Sequence, residues 1–233
     1  MCAIRDRMES ITMNVTIYGD SLLKFVLWEN GRYVINKEPL ERFSREFQLQ
    51  IINRSYFGSC VDKGYLRICQ DLKAGKSSDY AVLEYGGNDC SFDWKAIAEK
   101  PEEPHESAIN LTEYLQYFHL SIQALREAGV KPILTNLLPF DPESYLLWVT
   151  RALDRDIVLH WLGETNRVYR KNELYSRALE NLAREEEVPL VDLRSAFLDQ
   201  PKLMDYYCED GVHPNRAGHA LIFNAFEAFV RSR

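Results

Sequence analysis

Residues 13–23 read MNVTIYGDSLL, an apolar run that ends in a Gly-Asp-Ser triplet. The run from Met13 to Tyr18 has the length and the bounding turn residues of a buried strand. Ser21 follows directly, at the point where the strand stops and, in our prediction, a strand-to-helix turn begins. Because glycine, aspartate and serine are also common in ordinary turns, the triplet alone does not distinguish a turn from a reactive serine.

Four other short apolar runs share the features of this strand. They are Gln48–Asn53, Tyr80–Tyr85, Pro132–Asn136 and Val188–Asp192. A buried strand at 80–85 would enclose Glu84, whose carboxylate then needs a partner because an unpaired buried charge is costly. The sequence does not identify that partner.

Segments with helical spacing lie between these strands. In the first, apolar residues recur every three or four positions before a stop signal at Gly129: Leu111, Leu115, Phe118, Ile122 and Leu125. The second runs from about Thr165 to Glu186, and the third from near Pro214 to the C-terminus. This alternation predicts the α/β class, a three-layer α/β/α, flavodoxin-like domain with a five-stranded parallel sheet and helices on both faces. Ligands of such sheets bind at the carboxyl ends of the strands.

Composition limits the partners of this chain. Its 233 residues are 46% hydrophobic and 27% charged, and no linker, repeat or low-complexity tract divides them, so we predict one domain over residues 1–233. A formal net charge of −7 argues against nucleic acid or an anionic membrane as the main partner. A small molecule is the favoured ligand.

The apolar runs are too short to span a bilayer, which takes roughly 20 residues. The N-terminal stretch MCAIRDRMESITMNV lacks the apolar core of a signal peptide. The cysteines are odd in number and form no C-x-x-C pair, which favours reduced thiols over a disulfide framework or a zinc site: Cys2, Cys60, Cys69, Cys90 and Cys208. These features predict a cytoplasmic protein without a membrane span.

Residues 140–163 read FDPESYLLWVTRALDRDIVLHWLG and fit the alternating pattern least well. The segment is aromatic, predicted helical and longer than an ordinary connection. It is either a helical insertion that caps a pocket or an extra helix packed on the core. Trp94, Trp148 and Trp161 could line such a pocket, although buried aromatic residues are more often part of a core.

A reactive serine needs a base, and His213 is the best candidate among five histidines. It stands in EDGVHPN, three residues after Asp210 and just before the last predicted helix. In a tight turn Asp210 could accept the Nδ1 proton and leave Nε2 free to take a proton from a serine. The alternative is a helix-capping aspartate beside an incidental histidine.

Two further loops follow predicted strands. LEYGGNDC, residues 83–90, places the Asn88 amide at the carboxyl edge of the sheet, where it could donate to an oxyanion. INRSYFGSC, residues 52–60, contains Gly58, which could present its backbone N–H without obstruction. Taken singly, each loop is also consistent with a plain turn.

Together, these residues resemble the SGNH hydrolases, also called GDSL-type esterases and lipases. That family is named for a Ser, a Gly, an Asn and a His in separate blocks, which here fall on Ser21, Gly58, Asn88 and His213. The order and spacing agree over nearly the whole chain. The resemblance implies a serine esterase that hydrolyses a small carboxylic ester, an acyl or acetyl ester of an alcohol, sugar or lipid, through an acyl-serine intermediate.

The same resemblance implies a role for each residue. Ser21 would be the nucleophile, His213 the general base and acid, and Asp210 the residue that orients the histidine. The backbone N–H groups of Ser21 and Gly58 and the side chain of Asn88 would form the oxyanion hole. No metal or organic cofactor is required.

Two other function classes remain open at this point. A metallophosphoesterase also uses Gly-Asp, Asn-Asp and His motifs at strand ends, but it needs more histidines and carboxylates than this chain offers. A non-catalytic, flavodoxin-like binding module would fit the predicted fold equally, and the presence of every catalytic group argues against it.

Overall fold

A five-stranded parallel sheet forms the centre of the structure, a computed structural model that describes residues 13–233. The strands of the described residues are β1 (Met13–Gly19), β2 (Val26–Glu29), β3 (Arg32–Ile35), β4 (Leu49–Asn53), β5 (Tyr80–Glu84), β6 (Lys131–Thr135) and β7 (Leu190–Val191). The sheet has the order β4-β1-β5-β6-β7, and β2 pairs with β3 in a separate antiparallel hairpin. This is the flavodoxin-like order, and it confirms the predicted fold class.

Helices cover both faces of the sheet. They are α1 (Glu38–Phe47), α2 (Val61–Lys73), α3 (Trp94–Glu99), α4 (Leu111–Glu127), α5 (Pro142–Val149), α6 (Arg155–Leu162), α7 (Asn166–Glu185), α8 (Leu193–Leu198) and α9 (Arg216–Arg231). One face packs against α2, α4 and α7 around a core that includes Phe118 and Tyr175. The other packs against α1, α8 and α9 around Phe197 and Ile222.

All five predicted strands and the three predicted helices are present. The largest boundary error is at β7, which covers two residues of the predicted Val188–Asp192. Asp192 leaves the strand because its carboxylate caps α8 by accepting the Ser195 N–H at 3.0 Å.

The region after Ser21 differs from the prediction. Residues 20–25 form turns that lead into the β2–β3 hairpin, so no helix follows β1 directly. Asn30 and Gly31 connect the two hairpin strands, both with positive φ (54° and 74°). Asn-Gly is the preferred pair for a two-residue hairpin turn, since such turns need positive φ at both positions.

The segment 140–163 contains two short helices, α5 and α6. Together with α3 they surround a separate apolar cluster that includes Trp94, Phe140, Leu146 and Val158. The segment is thus packed against the loop that follows β5, next to the carboxyl edge of the sheet.

No helix within residues 13–233 is long and apolar enough to cross a membrane. The described cysteines, Cys60, Cys69, Cys90 and Cys208, are free thiols. Cys2 and most of the N-terminal stretch considered above lie outside the described residues.

Candidate active site

Ser21, His213 and Asp210 form a continuous hydrogen-bonded chain. The Oγ atom of Ser21 lies 2.9 Å from Nε2 of His213, and Nδ1 of the same ring lies 2.7 Å from Oδ2 of Asp210. All three residues are buried, and Asp210 is 0% exposed. The histidine is thus held between a hydroxyl and a carboxylate.

The Asp210 carboxylate accepts further hydrogen bonds besides the one from the imidazole. Its Oδ1 atom accepts the backbone N–H groups of Val212 and His213, at 3.0 and 2.9 Å. Its Oδ2 atom also accepts the hydroxyl of Tyr33 at 3.1 Å. Burial alone would raise the pKa of Asp210, but the hydrogen bonds and the charge interaction with His213 outweigh it and hold this pKa below its ordinary value. Asp210 therefore stays ionised beside the histidine.

The turn that carries His213 is fixed from both sides. The carbonyl of His213 accepts the N–H of Cys208 at 2.8 Å. The side chain of Asn215 caps α9 by accepting the N–H groups of Ala217 and Gly218 at 2.9 and 3.1 Å. Since Asn215 caps the helix, the alternative role of Asp210 as a helix cap is wrong.

Asp20 organises the loop that carries Ser21. Its Oδ1 atom accepts the N–H of Leu22 at 2.8 Å, which folds the chain back around Ser21. Its Oδ2 atom accepts the amide of Asn88 at 2.8 Å. The Asp20 carboxylate thus joins the loop after β1 to the loop after β5. Both of its oxygens are thus engaged in organising the two loops.

Glu84 has its partner in the same loop. Its Oε2 atom accepts the backbone N–H of Asp20 at 3.3 Å. Both carboxyl groups are buried. Burial raises the pKa of Glu84 well above its ordinary value, and the charge of Asp20 raises it further. Burial also raises the pKa of Asp20, but the N–H of Leu22 and the Asn88 amide favour its charged form. We therefore assign the proton to Glu84 and the negative charge to Asp20.

Asn88 lies between the two other candidate oxyanion donors. Its amide donates to Asp20, the neighbour of Ser21, and makes a longer contact of 3.4 Å with the carbonyl of Ser59, the neighbour of Gly58. Gly58 is exposed and has φ of +67°, a conformation that favours glycine. Among residues 13–233, none accepts the backbone N–H of Ser21 or of Gly58. Both groups are thus available to an oxyanion.

Two aromatic rings cover the imidazole. The ring of Phe57 stacks on His213 with centroids 5.7 Å apart and an interplanar angle of 13°. The ring of Tyr33 lies 5.1 Å from both of these rings. Phe57 is 53% exposed, so this side of the histidine faces solvent across an aromatic surface.

The remaining histidines lie elsewhere. His219 is buried against Phe25, its Nδ1 atom contacts the amide of Asn36 at 3.2 Å, and burial lowers its pKa to about 4. His119 contacts Glu186, and His105 contacts a backbone carbonyl. Within the described residues, no group of three or more His, Cys, Asp or Glu side chains is arranged to hold a metal ion.

Asp89 fixes the start of α2 and makes the unfolding free energy depend on pH. Its Oδ1 atom accepts the N–H of Val61 at 2.8 Å, and burial raises its pKa to about 7 from an ordinary value of 3.8. The native state therefore holds a proton that the unfolded state releases between pH 4 and 7. The unfolding free energy falls as pH rises through this window.

Replacing Asp89 by asparagine is expected to remove this pH dependence while keeping an acceptor for Val61. The unfolding free energy of Asp89→Asn should match the wild type most closely near pH 4 and exceed it increasingly towards pH 7, by up to about 4 kcal/mol. Urea titrations at pH 4, 5.5 and 7 measure it, with the exposed Glu102→Gln as control. A difference that does not change with pH would contradict the assignment.

A family model for the GDSL-like lipases and acylhydrolases matches residues 17–221, which is most of the chain. The chain belongs to this family. The match spans the loops that carry Ser21, Gly58, Asn88 and His213. It makes the protein a carboxylic ester hydrolase and leaves the binding-module and metallophosphoesterase alternatives without support.

Solved structures show the same fold at low sequence identity. A lipase/acylhydrolase from Enterococcus faecalis is 17% identical, with a TM-score of 0.70 over 95% of this chain and 97% of that one. An acetylxylan esterase from Geobacillus stearothermophilus is also 17% identical, with a TM-score of 0.64 over 93% of each chain. A GDSL-like lipase from Bacteroides thetaiotaomicron is 16% identical, with a TM-score of 0.64 over 94% of this chain and 88% of that one. No curated protein matches the sequence.

Tyr33 and the partner of Glu84 are the parts of the site that the sequence did not predict. The Asn30-Gly31 pair is a hairpin signal that could have located β2 and β3. Nothing in the local sequence, however, indicates that the hairpin carries the Tyr33 hydroxyl to Asp210, 177 residues away.

Proposed function

We propose that this GDSL-family hydrolase is a serine esterase that cleaves a small carboxylic ester through an acyl-serine intermediate. The observation that carries the proposal is the chain of hydrogen bonds from Ser21 through His213 to Asp210. A hydroxyl, an imidazole and a buried carboxylate in this order are the parts that nucleophilic acyl transfer needs.

In the proposed reaction, Oγ of Ser21 attacks the ester carbonyl while Nε2 of His213 takes its proton. Asp210 holds the ring in the tautomer with the proton on Nδ1 and stabilises the imidazolium that forms. His213 then returns the proton to the leaving alcohol, and the acyl group remains on Ser21. A water molecule then attacks the acyl-serine carbonyl while His213 takes its proton, and the carboxylic acid is released.

Three donors would stabilise the oxyanion. The backbone N–H groups of Ser21 and Gly58 are free of protein acceptors among the described residues. The Asn88 amide is oriented by its 2.8 Å bond to Asp20, and its second proton makes only the 3.4 Å contact with Ser59. This second proton is the one that would donate to the oxyanion. Donors held in place before the reaction cost no reorganisation during it.

Replacing Asn88 by alanine is expected to lower kcat by about two to three orders of magnitude, because one oxyanion donor is worth roughly 2.7–4 kcal/mol in the transition state. Steady-state hydrolysis of p-nitrophenyl acetate measures this, with circular dichroism as a check on folding. A kcat within threefold of the wild-type value would remove Asn88 from the mechanism.

Hydrolysis of p-nitrophenyl acetate by the purified protein tests the proposed function as a whole. The expected result is a burst of p-nitrophenol, stoichiometric with protein, followed by slower turnover that EDTA does not change. Activity that EDTA abolishes and added divalent cations restore would favour a metal-dependent reaction. Absence of hydrolysis of any ester in a panel of acyl and sugar acetates would overturn the proposal.

A further inference from the structure

A small cavity of about 40 Å³ lies beside the candidate site. Its lining includes Leu22, which follows Ser21, Gly87, which precedes Asn88, and Val212, which precedes His213. We propose that this cavity receives the acyl group of the ester and limits it to an uncharged chain of about two to three carbons. This inference rests on the proposed esterase function and adds the class of acyl group.

The oxyanion and the leaving alcohol each have a place in the site, and the cavity is the place left for the acyl chain. An ester carbon bonded to Oγ of Ser21 carries an oxyanion, the leaving alcohol and the acyl chain. The oxyanion goes to the Asn88 amide and the backbone donors, and the alcohol oxygen must lie near Nε2 of His213 to receive its proton. His213 is covered by the exposed ring of Phe57, so the alcohol would leave on the side of this aromatic surface. The cavity is lined by the loops that carry Ser21, Asn88 and His213, through their neighbours Leu22, Gly87 and Val212.

The volume of the cavity limits the chain length. A cavity of about 150 Å³ binds the six carbons of benzene, or about 25 Å³ per carbon, so about 40 Å³ holds one or two carbons. A propionyl group places two carbons beyond its carbonyl carbon and fills this space. Hexanoyl and octanoyl groups place five and seven carbons there, and they would need the walls to move.

The walls are held by packing and hydrogen bonds. Tyr145 on α5 contributes its ring, and its hydroxyl is bonded to Ser91 at 2.8 Å and to the indole N–H of Trp94 at 3.3 Å. Phe140 packs against the Tyr145 ring with centroids 5.1 Å apart. Close-packed aromatic walls of this kind do not retract without cost. Helix α5, in the segment 140–163, thus closes the end of the cavity.

The opposite wall is equally constrained. Leu137, in the loop after β6, lies so close to Gly86 that a Cβ there would approach the leucine side chain to 2.6 Å. Gly86 also has φ of +144°, so the backbone after β5 passes the leucine in a conformation that other residues rarely adopt. Leu137 is buried.

The cavity is suited to uncharged groups. Within the described part of the chain, no Asp, Glu, Lys, Arg or His side chain lines it. Two of its polar groups are already engaged, since Ser91 bonds Tyr145 and the Asn172 side-chain carbonyl accepts a hydrogen bond from Arg194 at 3.0 Å. A carboxylate at the end of the acyl chain would be buried without a partner, which is costly.

Kinetics with p-nitrophenyl acetate, propionate, hexanoate and octanoate test the proposal, each below its solubility limit. In the wild type, we expect kcat/KM for propionate to lie within tenfold of that for acetate. We expect kcat/KM for octanoate to lie at least 100-fold below that for acetate. Tyr145→Ala should raise the octanoate-to-acetate ratio at least tenfold. Leu147→Ala, an exposed residue on the same helix, should leave the ratio unchanged.

Trp94→Leu provides a second enlarged cavity in case Tyr145→Ala does not fold, and the same rise in the ratio is expected. The proposal is overturned if wild-type kcat/KM stays level or rises from acetate to octanoate, or if no folded enlarged variant changes the ratio. Either result, with activity still dependent on Ser21, would leave the esterase function intact. Equal hydrolysis by wild type and Ser21→Ala would instead reject the esterase mechanism itself.

Discussion

Replacing Ser21 by alanine is expected to lower kcat for ester hydrolysis by about four to six orders of magnitude. The variant lacks the Oγ atom that lies 2.9 Å from Nε2 of His213, so no acyl-enzyme can form. The oxyanion donors and His213 remain, and the residual rate reflects what they do for direct attack by water. Stopped-flow and steady-state hydrolysis of p-nitrophenyl acetate measure both the burst and the turnover.

The matched control is Ser77→Ala, a change of the same size at an exposed serine before β5, at the amino edge of the sheet. This variant should keep wild-type kcat. Because Ser21→Ala removes a single oxygen, its melting temperature should stay close to that of the wild type. A Ser21→Ala variant that is folded and retains more than a tenth of wild-type kcat would reject Ser21 as the nucleophile.

The Asp210→Asn variant is expected to lose about four orders of magnitude in kcat. Its amide carbonyl can still accept the N–H groups of Val212 and His213, so the turn should keep its shape. Its NH₂ group would face Nδ1 of His213 and force that nitrogen to accept. The proton then moves to Nε2, which can no longer accept the hydroxyl proton of Ser21.

Rates and thermal melts of Asp210→Asn should be compared with those of Glu209→Gln, the exposed neighbouring carboxylate. Glu209→Gln should have wild-type activity. A kcat for Asp210→Asn within tenfold of wild type would show that another group orients His213.

The sequence was sufficient to place Ser21 and Asn88 at the same edge of the sheet because both follow buried strands. The carboxyl ends of parallel strands share one edge, and the pairing of Gly19 with Glu84 puts the two loops side by side. The Asp210–His213 pair was equally local, since only two turn residues separate its members. These parts of the site depend on strand order and short spacing, which are visible in sequence.

Other parts depend on long-range packing that no local pattern records. The Tyr33 hydroxyl reaches Asp210 only because the β2–β3 hairpin folds over the site. The partner of Glu84 is a backbone N–H, which every residue except proline offers, so side-chain types could not reveal it. Of the tryptophans suggested for a pocket, Trp94 lines the small cavity, whereas Trp148 packs on Trp28 and Trp161 on Phe92.

Covalent labelling tests most directly whether Ser21 is a nucleophile activated by His213. The purified protein is incubated with a fluorophosphonate, and its intact mass and peptide map are measured for wild type and Ser21→Ala. We predict one phosphonyl group per wild-type chain, on the peptide that contains Ser21, and none on Ser21→Ala. An unlabelled wild type, or a label on another residue that persists in Ser21→Ala, would contradict it.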